Sequence, residues 1–151
     1  TEGGMTREVI SHFLFFIERV LGPLSLLSAH TTYPDETSLC ETAVLARLVS
    51  GKRQEVSILA TVGGVQPERQ EFTVKGTKTS RRITDFHKDS ISDGSDFTAL
   101  REPLKDPRAI TLKMQLDELS LHLAAKPNRL ATMDEAFRVQ VLVESILAQT
   151  S

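Results

Sequence analysis

The sequence lacks several features by which common functional classes are recognised. It contains no tryptophan, one tyrosine and one cysteine, and its 18 basic residues are balanced by 20 acidic residues. A nucleic-acid partner is disfavoured, because nucleic-acid binders usually carry a basic surface and aromatic side chains for stacking. The single cysteine, Cys40, excludes an internal disulfide and suits a reducing compartment, so we expect a cytoplasmic protein.

Long hydrophobic runs and biased tracts are also missing. The longest apolar run lies within residues 13–17, far short of the roughly 20 residues that span a bilayer. We therefore expect no membrane partner. At 151 residues with 40% hydrophobic side chains, the chain can bury the core of one globular domain, and we predict a single domain over residues 1–151.

Motifs for cofactors, metals and nucleophilic catalysis are absent as well. A dinucleotide-binding loop needs a strand, a G-x-G-x-x-G turn and a helix, and neither Gly3-Gly4 nor Gly63-Gly64 supplies one. The acidic residues around His87 match neither an EF-hand nor a zinc pattern. No G-x-S-x-G elbow occurs. We predict no cofactor-binding residue, no metal site and no nucleophilic hydrolase.

The distinctive residues of the chain lie at its N-terminal end. A helical pattern that ends at Gly22-Pro23 places Glu8 and His12 four residues apart. Residues at this spacing lie one above the other on a helix, so both side chains can reach one ligand. The unpaired backbone N–H groups of the first helical turn would favour an anionic or hydroxyl-bearing ligand.

The same helix carries apolar residues that are expected to anchor it in a core. They are Val9, Phe13, Phe16, Ile17, Val20 and Leu21. A glutamate and a histidine four residues apart also occur as surface neighbours or as a hydrogen-bonded structural pair. The spacing alone therefore does not assign a function.

Alternation of apolar and polar residues predicts consecutive antiparallel strands after this helix. The segments are residues 24–32, 41–49, 55–62, 69–74 and 80–86. One sheet face is expected to cover a core, and the other to be broad and semi-polar, which would allow subunits to pair. Residues 87–107 show no steady period and are predicted to form a long irregular connection.

Two further helices are predicted near the C-terminal end. Leucines at positions 112, 116, 119 and 123 predict an amphipathic helix packed on the sheet. The last helix begins with Thr132 as N-cap and Glu135 three residues later, which is a capping box. It is expected to bury Ala136, Val139, Val143, Ile146 and Leu147. The predicted class is α+β, with a mainly antiparallel, open-faced sheet and helices packed on one face.

Three segments in order carry a resemblance to a known family. The first is the glycine pair followed by an acidic residue four positions before His12 and by an apolar helix. The second is the strand and turn from Val74 to Thr79, and the third is the helix from Thr132 to Leu147. Together they resemble the C-terminal domain of the glucose-fructose oxidoreductase, inositol dehydrogenase and MocA (Gfo/Idh/MocA) family.

The resemblance implies the substrate-binding and oligomerisation domain of a larger dehydrogenase. Its N-terminal Rossmann domain is expected to be absent from this chain, in line with a start at Thr1 rather than at a methionine. The full-length protein is expected to oxidise or reduce a sugar, polyol or related compound at a CH–OH group. NAD or NADP would be bound mainly by the missing domain, and this chain alone would be inactive. A homo-oligomer formed through the sheet face is implied too.

The resemblance also implies roles for two residues. His12 matches the family's catalytic histidine, which exchanges a proton with the reacting hydroxyl or carbonyl. Glu8 stands where the family usually has aspartate and is expected to bind a substrate hydroxyl, with its carboxylate displaced by about 1.5 Å through the extra methylene. Arg7, next to Glu8, has two open readings that the resemblance does not decide: contact with an anionic substrate such as a sugar acid, or a surface arginine. A non-catalytic oligomerisation or sugar-binding module is the alternative.

Overall fold

The computed structural model describes residues 3–36 and 39–149. In chain order the elements are the π-helical turn Thr6–Ile10, α1 Ser11–Leu21, β1 Leu24–Thr32, β2 Ala43–Ser50, β3 Glu55–Thr61, β4 Glu71–Lys75, β5 Ser80–Thr84, β6 Lys88–Ser92, β7 Thr98–Ala99, α2 Pro107–Leu123 and α3 Met133–Leu147. The predicted α+β class is confirmed.

The chain divides into two compact units. The first unit comprises Thr1–Val65 and Ala131–Ser151, and the second comprises Gln66–Leu130. Each unit contains one antiparallel sheet, with strand order β1-β2-β3 in the first and β4-β5-β6-β7 in the second. The single domain over residues 1–151 stays a prediction.

In the first unit, one face of the sheet forms a core with the π turn, α1 and α3. Strand β2 alternates as its sequence predicts, with Val44 and Leu48 buried and Leu45 exposed. The core consists of Ile10, Leu14, Val44, Ala46, Leu48, Val139, Leu142, Val143, Ile146 and Leu147. On the open face, the register places Leu45 between His30 of β1 and Leu59 of β3.

Helix α3 follows its prediction closely. Its capping box is confirmed, because the Thr132 hydroxyl accepts a hydrogen bond from the Glu135 N–H and the Glu135 carboxylate accepts one from the Thr132 N–H. Of the five residues expected to be buried, only Ala136 is exposed. The buried residues of the helix are Val139, Leu142, Val143, Ile146 and Leu147.

Helix α1 buries a different face from the predicted one. Of the six residues expected in the core only Ile17 is buried, while Phe16 is 41% and Val20 53% exposed. The buried residues are Thr6, Ile10, Leu14, Ile17 and Glu18. Two apolar stripes lie side by side on this helix, so periodicity does not decide between them. The π turn also changes the phase, because its hydrogen bonds reach five residues back instead of four.

The second unit shows that the irregular connection predicted over residues 87–107 is wrong in part. This interval contains β6 and β7, which extend the sheet next to β5. Strand β6 is mostly polar, so the apolar alternation that reveals a strand is missing. The dipeptide Asp93-Gly94, with Gly94 at φ +116°, lies between the two strands and is the signal that indicates a hairpin connection.

Helix α2 forms as predicted but does not pack as predicted. Asp106 caps it by accepting a hydrogen bond from the Ala109 N–H at 3.0 Å, and Pro107 occupies its first turn. The four leucines expected against the sheet are between 41% and 78% exposed, and no residue of α2 is buried. The expected packing is wrong because a period groups side chains on a helix without specifying what covers them.

Candidate functional site

The candidate site lies where the π turn passes into α1. The Ser11 N–H donates to the Thr6 carbonyl five residues back, which is the defining bond of a π turn. Such turns are rare and occur frequently at functional sites. Glu8 lies within the turn, His12 is the second residue of α1, and both side chains are exposed. The structure therefore presents both predicted residues to solvent at the same end of one helix.

The Glu8 carboxylate receives no donor from the residues that the structure describes. Among residues 3–36 and 39–149, none gives it a hydrogen bond or an ion pair. Its neighbour Arg7, the obvious cation, is instead paired with Glu144 of α3. The carboxylate of Glu8 can therefore accept a hydrogen bond from a ligand without first losing a partner.

Arg7 is held by a two-point ion pair. Its Nε lies 3.0 Å from Oε1 of Glu144, and its Nη2 lies 2.7 Å from Oε2. The hydrogen bond to Glu144 raises the pKa of the Arg7 guanidinium, burial opposes that rise, and the charges of Glu144 and Glu41 add to it. Two parallel bonds fix the plane of a guanidinium as well as its position. A substrate anion would have to compete with Glu144 for Arg7.

Two N–H groups of the first helical turn already have partners, whereas the sequence predicted that these groups would be open to a ligand. The Thr6 N–H donates to Oε1 of Glu41 at 2.6 Å, and the Glu8 N–H donates to the Gly4 carbonyl at 2.9 Å. Glu41 is only 2% exposed. Sequence reasoning missed this residue because it lies 35 positions from Thr6 and no local motif connects them.

A groove of about 440 Å³ lies elsewhere in the first unit, between β1 and α3. Neither Glu8 nor His12 lines it. At one end, the buried carboxylate of Glu18 accepts hydrogen bonds from the Leu24 N–H at 3.1 Å and from Nε of Arg138 at 3.3 Å. These bonds tie the end of α1 to the start of β1 and to α3, which accounts for the buried charge.

Two of the acidic residues around His87 are paired with cations. Asp85 pairs with Lys88 at 2.6 Å, and Asp89 pairs with Arg81. In the described part of the chain, no three histidine, cysteine or acidic side chains gather as a metal ion would require. No helix within that part combines the length and the apolarity that a membrane crossing needs.

Solved structures share this fold over nearly the whole chain. The aldose-aldose oxidoreductase from Caulobacter crescentus aligns with 97% of the chain at a TM-score of 0.74 and 16% identity. KijD10, a 3-ketoreductase from Actinomadura kijaniata, aligns with 99% at 0.73 and 10% identity. The WlbA dehydrogenase from Bordetella pertussis aligns with 97% at 0.71 and 17% identity. The chain has the fold of the C-terminal domain of the Gfo/Idh/MocA oxidoreductases. The resemblance seen in the sequence is confirmed at the level of the fold.

The chain is less than half as long as these enzymes. The chain spans 45% of the Caulobacter enzyme, 48% of KijD10 and 42% of WlbA. No protein-family model matches it, and no curated protein does. Within the fold, the three predicted site residues, Arg7, Glu8 and His12, all belong to the first unit.

Proposed function

We propose that this chain is the C-terminal, substrate-binding domain of an NAD(P)-dependent oxidoreductase acting on a sugar, polyol or related compound. The observation that carries the proposal is the exposed pair of Glu8, in the π turn, and His12, at the start of α1, in a chain with the Gfo/Idh/MocA fold. Two of the structures that share the fold hold a nicotinamide cofactor: KijD10 is complexed with NADP, and WlbA with NADH and UDP-GlcNAcA.

His12 is the proposed proton donor or acceptor. A histidine exchanges protons near neutral pH, so it can take a proton from a hydroxyl as hydride leaves the same carbon, or return it to a carbonyl in the reverse direction. The core contacts of Ile10 and Leu14 hold the helix that carries it. The family resemblance also implies an assisting lysine, which would come from another domain.

Glu8 is the proposed ligand of a substrate hydroxyl. Its carboxylate is exposed and receives no hydrogen bond from the described residues, and two oxygens with free lone pairs suit the hydroxyl groups of a sugar. Arg7 stays a prediction as the contact for an anionic substrate. Its pairing with Glu144 means that a neutral sugar or polyol can use Glu8 and His12 without displacing it.

An apolar stripe beside the site supports the idea that another domain covers this side of the helix. It consists of Val9, Phe13, Phe16 and Val20, of which Phe16 and Val20 are 41% and 53% exposed. Exclusion of water from a hydride-transfer site favours such a surface being covered. We propose that the protein's own Rossmann domain covers this stripe and binds NAD or NADP. The two domains together would form the active enzyme, and this chain alone would be inactive.

The open sheet face supports a homo-oligomer. Leu45 and Leu59 are 55% and 78% exposed and lie side by side across β2 and β3. A second copy would cover them by applying the same face, as a two-fold axis requires. The proposal includes no nucleic-acid partner and no membrane partner. The single cysteine favours a cytoplasmic location.

The proposal is tested on the full-length protein, whose N-terminal segment is identified by sequencing the gene upstream of Thr1. We expect a Gly-rich dinucleotide loop there, and reduction of NAD or NADP, followed by absorbance, with at least one of a panel of sugars, polyols and sugar acids. The 151-residue chain alone is the control and is expected to show neither cofactor binding nor turnover. A full-length protein that assembles but neither binds nor reduces a nicotinamide would favour the non-catalytic module.

A further inference from the structure

Glu41 contacts the π turn from a distant segment of the chain. It lies in the connection between β1 and β2, and its buried carboxylate accepts the Thr6 N–H at 2.6 Å. Met5, at the usual N-cap position, contributes no side-chain hydrogen bond. A carboxylate at this position satisfies an orphan donor and lies at the positive end of the helix dipole. Glu41 therefore takes the place of a local N-cap.

The backbone before the turn passes close to the carboxylate of Glu41 at Gly4. Gly4 has φ +102°, and a Cβ added there would lie 2.5 Å from Oε2 of Glu41. Gly3 has the similar φ of +90°, but a Cβ there would meet nothing within 4 Å. The positive φ restricts both positions to glycine-like conformations. Only Gly4 is also restricted by the approach of the carboxylate.

Thr6 connects the Glu41 hydrogen bond to the bond that closes the π turn. Its N–H is held by Glu41, and its carbonyl accepts the Ser11 N–H that closes the π turn. The residue itself is fully buried, so the peptide on either side has little freedom. Glu8 lies inside the loop closed by this bond, and His12 follows directly after it. The two hydrogen bonds form a continuous path from Glu41 to both residues.

We propose that Glu41 is a positioning residue that holds the π turn and thereby sets the direction of Glu8 and His12. Its effect on the turn is independent of what the site does. Its effect on turnover rests on the proposed function. A carboxylate that only stabilises the fold would leave the turn intact when it is replaced.

The effect on the turn is measured by amide hydrogen exchange in the 151-residue chain. Glu41→Ala is expected to speed exchange of the Thr6 to Ser11 amides about tenfold, because a cap and a charged acceptor are lost together. Glu41→Gln keeps an acceptor oxygen of the same reach and is expected to stay within about threefold of the wild type. Exchange within about twofold of the wild type in Glu41→Ala overturns the inference.

The glycine pair supplies a matched control. Gly3→Ala and Gly4→Ala impose a similar backbone strain, so a larger loss of protection in Gly4→Ala measures the contact with Glu41. That excess is expected to disappear when Glu41 is also alanine, which a double-mutant cycle detects. Equal effects of the two glycine variants would contradict the close approach and with it the proposed path.

The effect on turnover is measured in the full-length protein beside His12→Asn. Glu41→Ala is expected to lower kcat about tenfold with the KM for the nicotinamide unchanged, and Glu41→Gln to restore most of kcat. If His12→Asn abolishes turnover while Glu41→Ala leaves kcat within about twofold, the positioning role is overturned and the proposed function stands. If His12→Asn leaves turnover intact, the proposed function fails, and hydrogen exchange alone decides whether Glu41 holds the turn.

Discussion

The two units each combine an antiparallel sheet with helix, but they bury very different residues. Every buried apolar side chain of the described chain belongs to the first unit, whereas the second unit buries Ser92 alone. The second sheet relies on polar contacts between side chains, such as the Arg81–Asp89 ion pair and the Arg82 guanidinium 3.8 Å above the Phe97 ring. Regular hydrogen bonding thus builds two sheets, but only one of them closes over a core.

This difference bears on where a catalytic group can be held. A site needs side chains fixed by packing and by surrounding hydrogen bonds. The π turn has both, since Thr6 and Ile10 are buried and Glu41 and Glu144 hold the backbone and Arg7. Helix α2 lacks the packing, because none of its residues is buried. Its hydrogen bonds, such as those from Arg129 to Glu118, are made by exposed groups.

The largest expected contrast is between one leucine of each unit. Leu14 of α1 is fully buried, and Leu116 of α2 is 54% exposed. We expect Leu14→Ala to lower the free energy of unfolding by about 2–5 kcal/mol, and Leu116→Ala to change it by less than about 0.5 kcal/mol. Urea denaturation of the two variants measures both values. Losses of equal size would show that α2 is packed after all and would remove the contrast.

Helix caps provide a smaller and more local contrast. Thr132→Ala removes the capping box of α3 and is expected to lower the free energy of unfolding by about 1 kcal/mol, because α3 belongs to the core. Asp106→Ala removes the cap of α2 and should loosen its first amides while leaving the urea midpoint nearly unchanged. Hydrogen exchange and denaturation together separate the two effects. An equally large midpoint shift for Asp106→Ala would contradict this account.

The smallest contrast concerns pH. Arg19 and the Thr132 backbone lower the pKa of Glu135 in the first unit to about 2. In the second unit the backbone N–H of Arg129, followed by its side chain, lowers the pKa of Glu118. Both folded pKa values lie below the unfolded value of about 4.3. Their stabilising contributions are therefore complete above that pH and are lost as the pH falls towards the folded values.

Side-chain replacement distinguishes these two causes. Arg19→Gln removes the main cause at Glu135 and should raise its pKa strongly. Arg129→Gln keeps the backbone donor and should raise the pKa of Glu118 much less. NMR titration of the two carboxyl groups measures both shifts, and a larger rise at Glu118 would refute the assigned causes.

Local rules explain the parts of this fold that the sequence predicts well. The spacing of Thr132 and Glu135 predicts the capping box of α3. The alternation of apolar residues in β2 predicts which face of that strand is buried. The positions of β1, β3 and α2 follow in the same way, since each depends on residues near one another in the chain.

The parts that the sequence does not predict depend on distant contacts. The face that α1 buries depends on the π turn, whose first N–H, that of Thr6, donates to Glu41 of another segment. Strand β6 is too polar to be recognised by alternation, and the exposure of α2 depends on surfaces that no period describes. Of the site, the sequence predicts Glu8 and His12 through spacing and resemblance, but not the carboxylates that hold the residues beside them.

The measurement that tests the central claim most directly is the turnover of the full-length protein with His12→Asn. Asparagine keeps a hydrogen-bonding side chain but exchanges no proton near neutral pH. We predict that kcat falls by about 10²–10⁴-fold, while nicotinamide binding and the oligomeric state remain those of the wild type. A kcat within about threefold of the wild type would contradict the assignment of this helix end as the catalytic site.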